Sequence, residues 1–187
     1  KASSDHLVRS WINTYEIPAI ITNCSNNYGP YQFPEKLIPV AILNALNNKD
    51  IPIYGTGENI RDWIHVDDHA DALLLLLEKG ENSETYNIGS NCEMSNIALV
   101  NLICETLDKK LKPNKSFKSN IKFVSDRPGH DLHYGINASK LHNTYSWKPK
   151  FGIKKGIEQT VSWYLDNQEW LENLVNRKGV GVRLGKI

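Results

Sequence analysis

Apolar positions along this chain fall into two rhythms, short and nearly unbroken runs, and longer stretches with a helical period, and the two alternate. Ile17, Pro18, Ala19, Ile20 and Ile21 form a run of the first kind, which predicts a strand covered on both faces by helices. Residues 52–54 and 60–66 predict two more short strands around the turn Gly55-Thr56-Gly57, and Tyr86-Asn87-Ile88 predicts another. The helical rhythm predicts a helix over residues 2–15 with Leu7, Trp11 and Ile12 on one face, and a second that Pro34 opens and that runs to about residue 48. Asp67 or Asp68 is expected to cap the next helix, with Gly80 as its left-handed C-terminal cap. Ser95 caps a helix carrying Ile97, Val100, Leu102, Ile103 and Leu107, and residues 153 to about 167 predict a last amphipathic helix. Between these two lies a polar, Lys-rich connector over residues 109–120, read as a solvated loop. Strands and helices that take turns in this way imply an α/β fold with a parallel sheet.

Composition narrows the function classes. A chain of 187 residues that is 40% hydrophobic can bury a core. Its 22 Lys and Arg against 21 Asp and Glu leave a net charge of +1, which offers no general attraction to nucleic acid or to an acidic membrane surface. The longest apolar run, residues 72–77, is far shorter than the roughly 20 residues that span a bilayer. Cys24, Cys92 and Cys104 lack metal-ligand spacing and suit a reducing, cytoplasmic setting. His65, Asp67, Asp68, His69 and Asp71 look like a metal cluster, but a strand and a helix cap would aim them in different directions, so no metal is expected. Trp163, Tyr164 and Trp170 read as packing aromatics, since no basic groove accompanies them.

The candidate chemistry sits behind the first predicted strand, in the segment NCSNNYGPYQFPEKLIP of residues 23–39. Ligands of open α/β sheets lie beyond the carboxyl ends of their strands, and the amides of Asn23, Asn26 and Asn27 suit hydroxyls, amides and phosphate oxygens. Taken alone, the segment could equally be an Asn-rich turn. Two arginines stand beside turns further on, Arg61 in IRDWIHV and Arg127 in Asp126-Arg127-Pro128-Gly129-His130. Two guanidinium forks could clamp a diphosphate, or they could pair with Asp62 and Asp126.

Four segments in order, residues 23–39, YGTGENIRDWIHVDDHADAL (54–73), TYNIGSNCEMSNIALV (85–100) and VSDRPGHDLHYGIN (124–137), resemble dTDP-glucose 4,6-dehydratases of the extended short-chain dehydrogenase/reductase superfamily. The resemblance covers residues 1 to about 165 and fades beyond about 167. It implies an NAD-dependent lyase in which NAD oxidises the sugar of dTDP-glucose at C4, water is lost across C5 and C6, and the hydride returns to C6. It also implies the C-terminal remainder of a Rossmann-type parallel sheet, over residues 1–29 and 62–89. A smaller α/β sugar-nucleotide domain would take residues 30–61 and 90–187.

Residue by residue, the resemblance assigns Lys1 to the lysine of the Tyr-x-x-x-Lys motif, which binds the nicotinamide ribose and favours the ionised tyrosine. That tyrosine, the Gly-rich cofactor fingerprint and the elimination acid and base would all lie upstream, so the chain is expected to be inactive alone. Asn27 is implied to contact NAD and Asn26 the sugar. Glu35, Lys36 and Leu37 would line the sugar nucleotide, with Pro52, Ile53, Tyr54, Gly55 and Thr56 beside its base. Arg61, Asn96 and the loop Asp126, Arg127, Pro128, Gly129 and His130 would complete the nucleotide pocket. The helix beginning at Lys1 implies a homodimer. UDP-sugar 4-epimerases and GDP-mannose dehydratases of the same superfamily are the neighbouring readings, along with a non-catalytic nucleotide-sugar binding fragment. Thr144-Tyr145-Ser146-Trp147 departs from a Leu-Gly-Trp turn of the family.

Overall fold

A computed structural model describes residues 1–175; the Gly-containing tail of residues 176–187, to which the sequence assigns no element, lies outside them. The architecture is the expected α/β class, with parallel strand pairs. Helix α1 (Ala2–Tyr15) leads into β1 (Ile21–Cys24) and β2 (Asn26–Tyr28), followed by α2 (Leu37–Leu46), β3 (Ile51–Tyr54), β4 (Ile60–His65) and α3 (Val66–Lys79). Then come β5 (Thr85–Ile88), β6 (Glu93–Ser95), α4 (Asn96–Leu111), a 3-10 turn (Phe117–Asn120), β7 (Ile121–Val124) and β8 (His133–Tyr134). The described chain ends with α5 (Ser139–Tyr145), α6 (Ile153–Asp166) and α7 (Gln168–Val175).

Strand β1 runs parallel to β5, in the register Ile21 to Thr85 and Cys24 to Ile88. Strand β4 is the hub of a second sheet, parallel to β2 and β8 and antiparallel to β6. Strands β3 and β7 form a separate parallel pair. Two apolar clusters hold these layers. The larger joins α2, α4 and α6 to the sheets through Ile42, Ile53, Leu99, Ile103, Val161 and Tyr164. In the smaller, Ala72 and Leu76 of α3 and Leu141 of α5 meet Ile64, Tyr86 and Ile88.

Several local expectations are corrected. The first strand covers Ile21–Cys24 rather than residues 17–21. Pro18 has no N–H to give a ladder, and apart from one bond from Ser83 N to Ala19 O at 2.8 Å the regular pairing begins where Ile21 N donates to Glu84 O at 3.0 Å. Helix α2 starts at Leu37, not at Pro34, because Phe33 O closes a turn by accepting from Glu35 N at 2.8 Å and Lys36 N at 3.4 Å. Pro39 then falls in the first helical turn, where its missing N–H costs no bond. The cap of α3 is His65, whose Nδ1 accepts from Asp67 N at 3.3 Å; neither aspartate caps it. Asp68 instead turns inward and accepts from Lys150 N at 2.7 Å and Phe151 N at 3.1 Å.

Gly80 is extended (φ −68°) rather than left-handed, and its role is close approach, since a Cβ there would stand 2.5 Å from Leu76 O and 2.6 Å from Ile20 Cδ1. On α1 only Ile12 of the expected face is buried, while Leu7 and Trp11 are 63% and 57% exposed. The connector after α4 is not all solvated, because Phe117 in the 3-10 turn is buried in the larger cluster. In the departure at residues 144–147, Ser146 takes the left-handed conformation (φ 52°), and Trp147 after it is buried.

Candidate functional site

Strands β2, β3 and β4 open onto a cavity of about 630 Å³. Asn26 and Asn27 reach it from β2, and Gln32 from the loop that follows. The turn into α2 contributes Glu35, Lys36 and Leu37, and the helix itself Ile38, Val40 and Asn44. Pro52 and Tyr54 come from β3, Arg61 and Trp63 from β4, Asn96 from the start of α4, and Arg127 and His130 from the loop after β7. Eleven of the residues proposed from sequence thus share one space, drawn from segments up to about 100 positions apart in the chain.

The remaining proposed residues stand outside it. Ile53 alternates inward on β3 and is 1% exposed in the core. Gly55 (φ 56°) turns the chain against the Asp126 carboxylate, and Thr56 follows it in the same turn. Asp126 does not line the cavity but organises its rim, with Oδ1 accepting from Arg127 N at 2.8 Å and lying 2.7 Å from His130 Nδ1. Its bond to His130 holds the Asp126 carboxyl below the ordinary range. Pro128 and Gly129 (φ 66°) shape the loop between these partners. Lys1 is exposed at the start of α1, apart from the cavity.

The electrostatics of the cavity are set by its arginines. Arg61 is only 8% exposed, and its guanidinium donates to Ile60 O at 2.6 Å and to Asp131 O at 2.8 Å. Among the described residues, neither guanidinium has a carboxylate within ion-pair distance. The alternative pairings are accounted for otherwise, since Asp62 Oδ1 accepts from Cys92 N at 2.6 Å and Asp126 is engaged by His130. A buried cation satisfied only by carbonyl dipoles favours an anionic ligand, because burial strengthens the attraction. Lys36 differs, with its ammonium 2.8 Å from Glu35 at a half-open edge.

Asn27 lies at the junction of cavity and core. Its Nδ2 donates to Ser25 O at 3.1 Å and Cys24 Sγ at 3.3 Å, its main-chain O accepts from Gln32 Nε2 at 2.8 Å, and its Oδ1 is 2.8 Å from His69 Nδ1. Cys24 is therefore a hydrogen-bond acceptor here, and all three cysteines are free. Among the described residues no group of three or more His, Cys, Asp or Glu could hold a metal ion, and no helix is long and apolar enough to cross a membrane.

Sequence reasoning missed Gln32, Trp63, Ile38, Val40 and Asn44. Helical spacing could have found two of them, because Lys36, Val40 and Asn44 recur every four positions and so share a face of α2. Trp63 carries no such signal. It reaches the cavity because β2 and β4 pair with Asn26 opposite Trp63.

The family model described as GDP-mannose 4,6 dehydratase matches residues 1–160. The chain belongs to that family. Within the GDP-mannose 4,6-dehydratase family, its similar curated relatives carry a different substrate in their names. The dTDP-glucose 4,6-dehydratase 1 of Escherichia coli (strain K12) is 54% identical over 93% of this chain and 48% of its own length. Among solved structures, the dTDP-glucose 4,6-dehydratase of Bacillus anthracis in complex with NAD is 46% identical, with a TM-score of 0.82 over 93% of this chain and 53% of that one. The dTDP-glucose 4,6-dehydratase of Streptomyces venezuelae, solved with NAD and TYD bound, is 39% identical with a TM-score of 0.84, over 93% of this chain and 52% of that one. The chain thus spans about half the length of the relatives it matches.

Proposed function

We propose that this chain supplies the sugar-nucleotide side of a dTDP-glucose 4,6-dehydratase, an NAD-dependent lyase that makes dTDP-4-keto-6-deoxy-glucose. One observation carries the reading: Arg61, Arg127 and Asn26 open onto a single cavity, and among the described residues no carboxylate pairs with either guanidinium. The names of the relatives at about half coverage support dTDP-glucose over GDP-mannose as the substrate.

In this reading the arginines grip the diphosphate, and His130, held by Asp126, closes the same end. Pro52, Ile53, Tyr54, Gly55 and Thr56 run beside the base, to which Ile53 offers only its backbone. Glu35, Lys36, Leu37 and Asn96 line the nucleotide, and Asn26 holds the hexose. NAD, which Asn27 and Lys1 would hold, would supply the hydride acceptor for oxidation at C4 and the hydride donor for C6, on either side of the loss of water across C5 and C6. The chain's groups fit a nicotinamide, since Asn27 Oδ1 keeps a lone pair beyond its contact with His69, and a carboxamide N–H can donate to it. Lys1 lies by the nicotinamide ribose, where its charge favours ionisation of a neighbouring tyrosine.

Residues 1–29 and 62–89 serve the cofactor and residues 30–61 and 90–187 the substrate, a division the two apolar clusters follow only in part, since Tyr28 and Trp63 pack in the larger and Leu141 and Trp147 in the smaller. The exposed Leu7, Trp11 and Tyr15 of α1 support a homodimer built on that helix, and three free thiols suit the cytoplasm. The test is product analysis with the full-length protein. Net formation of a 4-keto-6-deoxy sugar from dTDP-glucose is the expected result; inversion at C4 alone would establish an epimerase instead.

A further inference from the structure

The orientation of the Asn27 amide can be fixed from its partners alone. Ser25 O, 3.1 Å from Nδ2, can only accept, and Cys24 Sγ at 3.3 Å takes the second proton, so the NH2 faces that side with both protons committed. The amide oxygen must then face His69 on α3, whose Nδ1 lies 2.8 Å away. A carbonyl oxygen brings no proton, so the imidazole must supply it from Nδ1. Burial lowers the pKa of His69 and favours the neutral ring, which has a single N–H to place.

We propose that His69, which does not itself line the cavity, is a positioning residue whose Nδ1–H holds Asn27 as a hydrogen-bond acceptor only. One lone pair of Oδ1 is left, and it selects ligand groups that donate, a primary carboxamide N–H or a hydroxyl. A carbonyl or phosphate oxygen at that point would meet a lone pair. Because the main-chain O of Asn27 also accepts from Gln32 Nε2, the same residue ties down the loop beyond β2, so His69 braces the wall of the cavity from behind. The meaning for ligand binding rests on the proposed dehydratase reading; the proton on Nδ1 does not.

Two measurements on the full-length protein test this. Nitrogen NMR of the neutral His69 ring should show the proton on Nδ1, and a proton on Nε2 overturns the proposal. Calorimetric titration with NAD then compares three variants, with melting curves to confirm that each is folded. Asn places its Nδ2 at the position of Nδ1, whereas Gln reaches the position of Nε2. His69→Ala should weaken NAD binding about tenfold, His69→Gln should fall with it, and His69→Asn should stay within about threefold of the native protein. Equal recovery by His69→Gln and His69→Asn overturns the assignment, as does an unchanged His69→Ala where Asn27→Ala loses affinity. If Asn27→Ala itself binds NAD normally, it is the reading of Asn27 as a ligand contact that fails, and the ring proton alone decides the role of His69.

Discussion

Replacing Arg61 with lysine keeps the charge of the cavity and removes its fork. In the structure two of the five guanidinium N–H groups go to Ile60 O and Asp131 O at 2.6 and 2.8 Å, which leaves three for a ligand. A lysine ammonium has three donors on one atom and cannot span both carbonyls while it reaches a phosphate. At least one charged hydrogen bond is therefore lost, about 1.5–3 kcal/mol, and Kd for dTDP should rise by about ten- to a hundredfold. Arg127 is exposed, so water and salt screen its contact, and Arg127→Lys should cost less than Arg61→Lys. Calorimetric titration of the full-length protein with dTDP at two salt concentrations separates the cases. The loss at Arg127 should shrink with added salt and the loss at Arg61 should persist. Native-like binding by Arg61→Lys, or a larger loss at Arg127, would refute the claim that burial makes Arg61 the principal grip.

Asp68 is 1% exposed and holds two backbone N–H groups of the segment before α6, so Asp68→Ala should lower stability by about 3 kcal/mol, read as a lower urea midpoint. Gly156→Ala would drive a Cβ into the Tyr28 hydroxyl and to 2.9 Å from its ring, inside the larger cluster; overpacking should cost about 1–3 kcal/mol in thermal or urea melts. His65 and His69 both have pKa values lowered by burial, so the unfolded chain takes up protons near pH 6.5 that the folded chain refuses. Their contribution to stability is complete above about pH 6.5 and declines as pH falls toward the folded pKa values. Melting temperature should follow that course, and His65→Gln should flatten it. The homodimer proposed on α1 predicts that Leu7→Glu combined with Trp11→Glu shifts the full-length protein from dimer to monomer in sedimentation; an unchanged dimer would place the interface elsewhere, and a native monomer would refute the proposed dimer.

Local chemistry was readable from the sequence, and long-range pairing was not. Ser95 announced α4 because a cap is a bond between near neighbours, here Ala98 N to Ser95 Oγ at 3.3 Å. Strands β6, β7 and β8 left no such mark, since each is four residues or shorter and exists through partners on β3 and β4 at distant positions. The position of β1 was missed for the same reason. Ile21–Cys24, with its two polar residues, is a weaker pattern than the apolar run before it, yet it is the segment that β5 can bond after Pro18. The site divides along this line. Asn26, Arg61 and Arg127 stood out by residue type and turn context, which their own segments display, but those left a plain turn and carboxylate pairing equally open, and the resemblance alone assigned them to one pocket. His69 could not be read in this way, and its neighbours suggested only a metal cluster. Its contact with Asn27, 42 positions earlier, exists because β2 lies parallel to β4 with Asn27 opposite Ile64, and α3 carries His69 back over that strand end. A register of three residue pairs thus decides whether this imidazole is a surface charge or a brace behind the cavity wall.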